Sequence, residues 1–233
     1  MEKTFPSSNQ CAKVAGYMYL FGMAASIFAE LALRSPLMVR GNASETALNI
    51  MAHETQFRTA IALDFLTYIS VVLLVWALYV LLKPVNRNLA LLGAFLRLVE
   101  VSFFYVFLIN NFAVLKVLGN DEYLKVFEAG QLQAMSRVAL LTKGDAYNIG
   151  FSILGLGSAV FSYLLFKSNY IPKVLAGFGV FASALFFVIT FVIIIFPSFS
   201  IALSICYGTM FIYEVGLGLW FVIKGVKVSE VKS

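Results

Sequence analysis

The sequence predicts an all-α fold: a polytopic membrane helix bundle of six transmembrane helices, with short amphipathic helices in two outer loops. Three observations predict this class. The 233-residue chain is 61% hydrophobic and only 12% charged, whereas a soluble domain is about 25% charged. Six stretches reach the roughly 20 apolar residues that cross a bilayer as a helix. Four prolines lie at the connections between these stretches, where a helix stops or restarts. We expect residues 1–233 to form one domain.

The first three predicted spans lie in the N-terminal half of the chain. The first span, 14–33, is too long for a signal-peptide core and lacks a small-residue cleavage pattern, so we expect a retained signal anchor. The second span, 59–82, ends before a lysine and a proline. The third span, 88–115, is long, and we expect it to tilt or to run past the headgroups.

The last three predicted spans are limited in the same way. The fourth span, 145–166, ends before Lys167. The fifth span, 171–196, begins beside one proline and ends before another. The sixth span, 200–223, ends before Lys224.

The distribution of positive charge predicts the orientation of the bundle in the membrane. One side carries basic residues on short segments: Lys3, Lys13, Lys83, Arg87, Lys167, Lys173, Lys224, Lys227 and Lys232. The other side carries fewer, spread over longer loops: Arg34, Arg40, Arg58, Lys116, Lys125, Arg137 and Lys143. On three helices that run toward the first side, an aromatic residue (Tyr79, Tyr163 or Trp220) lies four positions before a lysine, as membrane-interface anchors do. The positive-inside rule therefore predicts a cell-membrane protein with both termini in the cytoplasm.

Two outer connections, 41–58 and 120–143, are long enough to hold short helices. Ser44 is a candidate N-cap in the first connection. The predicted apolar faces comprise Ala47, Ile50 and Met51 in the first connection and Leu132, Met135 and Val138 in the second. Amphipathic helices of this kind lie in the membrane interface. They would either pad that interface or form a lid over an outward-facing cavity.

Charged side chains inside the predicted spans indicate a site. A charge at the bilayer centre costs about 2.5–3.5 kcal/mol on insertion scales, so each must face protein or water. Arg97 and Glu100 are three residues apart and can pair along one helix. Arg97 can equally bridge to Glu214 or Asp64 on a neighbouring helix. The candidate binding residues are Arg97, Glu100, Glu214, Asp64, Glu30 and Asn110.

Three functions fit this pattern. The leading hypothesis is a non-enzymatic protein that binds an amphipathic or anionic small molecule in an outward-opening pocket, for transport, sensing or lipid handling. Arg97 would anchor an anionic group, because a guanidinium in a dry pocket suits a carboxylate or phosphate. Glu100 and Glu214 would hold Arg97 in place, and Asp64 and Glu30 would line the entrance. The alternatives are an intramembrane enzyme that uses paired carboxylates on a lipid or isoprenoid, and an accessory or assembly subunit whose buried charges only specify helix pairing.

The sequence assigns no catalytic residue, metal ligand or cofactor. The single histidine, His53, excludes a site that needs two imidazoles. The chain has no nucleophile elbow, zinc-protease motif or Walker motif. The net charge of +5 suits cytoplasmic loops rather than nucleic acid, because the chain has no basic run. We expect the lipid bilayer and a small amphipathic ligand as partners, and the oligomeric state stays open.

A family pattern extends over most of the chain. Its strongest part is the run from Lys83 to Arg87, followed by Arg97 and Glu100. It also includes Glu30, Asn49, Glu54, Asp64, Tyr79, Gly150, Tyr163, Ile171, Pro172 and Glu214. In these residues the chain resembles a bacterial membrane family known as domain of unknown function 4386. The resemblance implies a six-helix integral membrane protein and brings no activity. Members often carry a histidine just before helix four, where this chain has Lys143 and Gly144, so we expect no histidine-dependent role.

Thiol labelling tests the predicted orientation. In a variant lacking Cys11 and Cys206, the substitution Asn120→Cys should give a thiol that reacts with a membrane-impermeant reagent on intact cells. The substitution Ser229→Cys should give a thiol that is protected until the cells are opened, because the C-terminus is predicted to be cytoplasmic. The reverse pattern would contradict the predicted orientation and invert the bundle.

Overall fold

The computed structural model describes residues 7–119 and 121–227, without the side chains at positions 123, 143 and 199–204. Asn120 and Ser229, and the basic residues Lys3 and Lys232, lie outside the described residues. α1 (Ser8–Ile27) continues through a π-helix (Phe28–Arg34) and a 3-10 turn (Ser35–Leu37). The other α-helices are α2 (Ala43–Ala52), α3 (Glu54–Leu82), α4 (Arg87–Leu118), α5 (Ala129–Ser168), α6 (Lys173–Ile195) and α7 (Ser200–Ile223), and 3-10 turns cover Glu122–Val126 and Pro197–Phe199.

Six of these helices are long and apolar enough to cross a membrane. They are α1 with its continuation, α3, α4, α5, α6 and α7. No strand occurs among residues 7–119 and 121–227. These observations confirm the predicted fold class. The observed helices extend beyond several of the predicted limits, which were drawn around apolar stretches. A helix can continue past such a stretch, because its polar ends form the same backbone hydrogen bonds outside the lipid.

The second outer connection differs from its prediction. Residues 129–144, expected to lie in a separate amphipathic segment, are the first part of α5, which is 40 residues long. At 1.5 Å per residue, a helix of this length extends for about 60 Å, about twice the thickness of a bilayer core. Gly144 is the only conventional helix breaker near the predicted boundary, and one glycine costs a helix only about 1 kcal/mol. The helix therefore continues through it.

Side-chain caps explain where three helices begin. Ser7 caps α1, and its hydroxyl accepts a hydrogen bond from the Gln10 backbone at 3.2 Å. Asn86 caps α4 by accepting from the Leu89 backbone at 3.0 Å. Asn42 caps α2 by accepting from the Glu45 backbone. The predicted N-cap Ser44 was wrong. It lies within α2, because Asn42, two residues earlier, already accepts a hydrogen bond from a free N–H group of the first turn.

The six long helices form a closed ring. Along this ring α1 packs on α3, α3 on α4, α4 on α5, α5 on α6, α6 on α7, and α7 on α1. Both ends of the described chain meet at one end of the bundle, where the Val226 backbone donates to Asn9 at 2.9 Å and the Lys227 backbone donates to Tyr170 at 3.1 Å. We call this the terminal end, and the opposite end, which holds Arg34, the distal end.

Glycines allow close contact between neighbouring helices. A Cβ placed on Gly16 of α1 would lie 2.8 Å from the carbonyl oxygen of Gly218 on α7. A Cβ on Gly155 of α5 would lie 2.6 Å from the backbone nitrogen of Phe187 on α6. Such backbone contacts are typical of helices that associate in lipid, where small residues let helix axes approach. Gly16 and Gly155 therefore allow these helix pairs to pack closely.

The substitution Gly155→Ala should lower the stability of the bundle. The added methyl group would overlap the Phe187 backbone, which cannot shift without separating α5 from α6, and overpacking of this kind costs about 1–3 kcal/mol. The matched control is Gly144→Ala on the same helix, where the methyl group meets open space. This control should be neutral or stabilising by up to about 1 kcal/mol. Thermal unfolding in detergent measures both, and equal midpoints would contradict the packing role of Gly155.

Candidate functional site

The ring of helices encloses a cavity of about 870 Å³. All six long helices contribute to its wall, α6 through Phe186. Ligand pockets commonly have volumes of about 300–1,000 Å³, so the cavity is large enough for a small organic molecule. Most of its wall is apolar, and its charged side chains form two groups.

Five of the six predicted site residues line this cavity. They are Glu30 on the π-helix, Asp64 on α3, Arg97 and Glu100 on α4, and Glu214 on α7. The ring brings these residues together from four separate helical segments.

Asn110 lies elsewhere, which corrects its predicted place in the site. Its side chain is exposed and donates to the Val106 carbonyl at 2.9 Å. It borders a shallow hollow beside Met135 and Val138 of α5. The next residue, Asn111, is fully buried. One position rotates a side chain by about 100° around a helix, so Asn110 faces away from the cavity.

The central cluster consists of Arg97, Glu100 and Glu214. Arg97 Nη1 lies 3.0 Å from Glu100 Oε2 as an ion pair and also donates to Ser158 Oγ at 3.2 Å. Gly157 on α5 provides the space for this arginine, because a Cβ there would lie 2.8 Å from Arg97 Cγ. Glu100 is fully buried, and neither of its carboxylate oxygens accepts a hydrogen bond from any described residue.

Glu214 faces the same cavity from α7 and is partly exposed within it. Among the described side chains, no lysine, arginine or histidine lies within 4.0 Å of its carboxylate. The central cluster therefore contains two carboxylates and one guanidinium, and only one of the carboxylates forms an ion pair.

The distal cluster consists of Glu30, Arg34 and Asp64. Arg34 is buried, donates to Glu30 at 2.5 Å, and forms a second hydrogen bond with Asp64. Its guanidinium also lies over the Phe107 ring, 5.2 Å from the ring centroid. This cluster joins the π-helix to α3 and α4.

Arg34 is a cavity residue that the sequence analysis placed in an exposed loop. The first span was expected to end at residue 33, but helical structure continues to Leu37 and carries Arg34 into the bundle. A signal was available, because Glu30 and Arg34 are four residues apart, the spacing of an ion pair on one helix face.

An aromatic wall connects the two clusters. Its rings are those of Tyr68, Phe104, Phe107, Tyr147, Phe151, Phe186 and Tyr207, all lining the cavity. Neighbouring rings contact each other, with centroid distances of 5.0 Å for Phe104 and Tyr147 and 4.4 Å for Tyr147 and Phe151. The Tyr68 hydroxyl is buried and forms no hydrogen bond with a described residue. This wall was not predicted from the sequence, although Phe104 and Phe107 continue the helix face of Arg97 and Glu100 at spacings of three and four residues.

The cavity opens sideways between α1 and α7, toward the distal end. Leu31 on the π-helix and Tyr207, Gly208 and Phe211 on α7 line the cavity and are also exposed. We call this gap the α1–α7 opening. Toward the terminal end the same two helices are in contact at Gly16. The opening is therefore a slot in the side of the bundle, flanked mainly by apolar side chains.

Fold and cavity together define a helix bundle with six spans apolar enough to cross a membrane and an aromatic-lined interior that holds two charged clusters. The chain belongs to the family described as Domain of unknown function (DUF4386), whose model matches residues 14–225. It is also 25% identical over 169 residues to an uncharacterized protein of Archaeoglobus fulgidus, covering 72% of this chain and 85% of that protein. No solved structure matches. The family resemblance seen in the sequence is confirmed, whereas a bacterial origin stays a prediction.

Removing the charge of Arg97 should destabilise the bundle strongly. The substitution Arg97→Met leaves Glu100 buried without its cation, and breaking a buried ion pair in this way costs about 3–5 kcal/mol. The double substitution Arg97→Met with Glu100→Leu should recover most of this loss, because it removes both buried charges. Chemical or thermal unfolding in detergent measures the three proteins.

The control is the exposed pair of Arg58 and Glu54, which has the same residue types at 2.7 Å. Arg58→Met should change stability by no more than about 1 kcal/mol, as is typical of surface ion pairs. If Arg97→Met were as stable as the double variant, Glu100 would not depend on Arg97 in the folded bundle.

Proposed function

We propose that this protein binds an elongated amphipathic organic molecule in its central cavity and receives it through the α1–α7 opening. One observation carries the proposal: a cavity of about 870 Å³ lies inside the helix ring, with charged groups toward both ends and aromatic rings between them. Binding pockets combine a mainly apolar wall with a few polar groups that fix orientation. Transport, sensing and lipid handling all require this binding step.

The dimensions of the cavity favour a chain-like molecule. On α3, the lining residues extend from Asp64 to Leu74, which at 1.5 Å per residue is about 15 Å along the helix. On α4, they extend over a similar distance, from Arg97 to Phe107. An apolar chain along the aromatic wall would place a polar end group near one of the clusters.

The position of the opening favours entry from lipid. Side openings between spanning helices face the acyl chains rather than water, and the exposed residues around this one include Leu31 and Phe211. With both termini in the cytoplasm, as the basic residues predict, the distal half of the bundle lies in the outer half of the membrane. The bound molecule would then be drawn from the outer leaflet.

The alternative to ligand binding, in which buried charges only specify helix pairing, is supported for the distal cluster alone. Arg34 contacts both Glu30 and Asp64 and ties the end of the first span to α3, as an assembly role for buried charges would require. The central cluster has a different arrangement, since Glu214 lacks such a partner among the described residues.

Photolabelling in lipid nanodiscs tests the proposed binding. A dodecanol carrying a diazirine in its alkyl chain should label peptides that contain Tyr68, Phe104 or Phe151, and excess unlabelled dodecanol should suppress that labelling. The substitution Gly208→Trp should remove most of the labelling that excess dodecanol suppresses, because the indole would occupy the α1–α7 opening. It should still fold, since a Cβ at Gly208 meets no atom within 4 Å.

The matched control is Gly130→Trp on α5, another exposed helical glycine with open space around its Cβ. It lies outside the cavity and should leave labelling unchanged. Labelling of cavity peptides that excess dodecanol does not suppress would contradict binding in the cavity. Equal labelling of the two tryptophan variants would contradict entry between α1 and α7.

A further inference from the structure

We propose that the polar end of the bound molecule is a protonated amine, held at the central cluster between Glu100 and Glu214. This inference rests on the proposed binding function and names the chemical class that the cavity selects. It differs from the sequence-based expectation that Arg97 anchors an anion.

The charges of the central cluster favour a cation. Arg97 is the single positive group there, and it already lies 3.0 Å from Glu100 and donates to Ser158. Glu214 adds a second carboxylate on the same cavity wall. An anionic group would add a third negative charge in a cavity with a mainly apolar wall, where like charges repel more strongly than in bulk water. An ammonium group would instead balance the cluster.

The hydrogen-bonding capacity of Glu100 points to a donor. This side chain is fully buried, and neither of its oxygens accepts a hydrogen bond from the described residues: Oε2 lies 3.0 Å from Arg97 Nη1 as an ion pair only, and Oε1 lacks that contact too. A carboxylate can only accept hydrogen bonds, and leaving a buried acceptor unsatisfied costs about 1–3 kcal/mol. An amine that carries an N–H would supply the missing donor. A quaternary ammonium would supply charge but no hydrogen bond.

Aromatic rings near the cluster suit the substituents of such an amine. Phe104 lies one helical turn beyond Glu100 on the same face of α4, and Tyr19 contributes to the wall from α1. Aromatic faces attract cations that lie over them within about 6 Å, and they also pack against alkyl groups. The same wall continues through Tyr147 and Phe151, where the apolar chain of the amine would lie.

The distal cluster also contains two carboxylates and one guanidinium, but both of its carboxylates already contact that guanidinium. Arg34 already contacts both Glu30 and Asp64, and Glu30 is half exposed at the edge of the cavity. The amine is therefore assigned to the central cluster, and the chain would extend from there toward the distal end.

Competition for the photolabelling site tests this inference. Four competitors share a dodecyl chain: dodecyldimethylamine, dodecyltrimethylammonium, dodecanoate and dodecanol, each added to nanodiscs as a mole fraction of lipid. Dodecyldimethylamine should suppress labelling at a mole fraction about tenfold lower than dodecanol, the ratio expected for one charge-assisted hydrogen bond. Dodecyltrimethylammonium should lie between them, and dodecanoate should be the weakest.

Two isosteric substitutions locate the amine. Glu214→Gln and Glu100→Gln should each reduce the preference for dodecyldimethylamine over dodecanol, and thermal unfolding in detergent reports whether each variant is folded. The control Glu122→Gln changes an exposed carboxylate outside the cavity and should keep the full preference.

The possible results separate this inference from the proposed function. If dodecanoate were the strongest competitor, the cavity would bind anions and the inference would fail while binding stood. An unchanged amine preference in both glutamine variants would also overturn it, and equal competition by the tertiary and quaternary amines would overturn the hydrogen bond to Glu100. If no competitor, including dodecanol, suppressed the labelling, the proposed function itself would fail.

Discussion

Helices α1 and α7 approach each other across Gly16 and Gly218, and this contact joins the first and last spans of the chain. The other spans are neighbours in sequence and pack in order. Without the contact between α1 and α7, these helices would form an open row whose charged side chains faced lipid. Because neither glycine has a side chain, the two helices can approach closely enough to close the ring. This closure gives the bundle its interior.

Burial of charge in that interior follows two different arrangements. At the distal end, the guanidinium of Arg34 forms ion pairs with both Glu30 and Asp64. At the centre, the guanidinium of Arg97 contacts Glu100 and a serine, and Glu214 has no cation within ion-pair distance among the described residues. Carboxylates that already contact a cation contribute to assembly, whereas a buried carboxylate with unused hydrogen-bonding capacity can bind a further molecule. The two clusters therefore separate a structural role from a binding role within one cavity.

The fold and much of the site could be predicted from the sequence because lipid restricts the alternatives. Apolar stretches of sufficient length must be helices, and charges within them must face inward, which brought Glu30, Asp64, Arg97, Glu100 and Glu214 to one cavity. Asn110 illustrates the limit, since an uncharged polar side chain can return its hydrogen bonds to its own helix and tolerate exposure. The aromatic wall was missed for a related reason: a phenylalanine is equally stable against lipid or protein. Only its helical spacing relative to Arg97 and Glu100 distinguishes the two environments.

The π-helix between Phe28 and Arg34 has a consequence for the length of the chain. A π-helical turn accommodates more residues than an α-helical turn, so such a segment is equivalent to an α-helix with a residue inserted. Restoring α-helical geometry over these residues without deleting one of them would turn the following side chains by about 100° around the axis. Arg34 would then leave the position from which it contacts Asp64, and the end of the first span would lose its attachment to α3. The π-helical geometry therefore aligns Arg34 with Asp64, and homologous chains that keep this pair should either keep the π-helical segment or be one residue shorter within it.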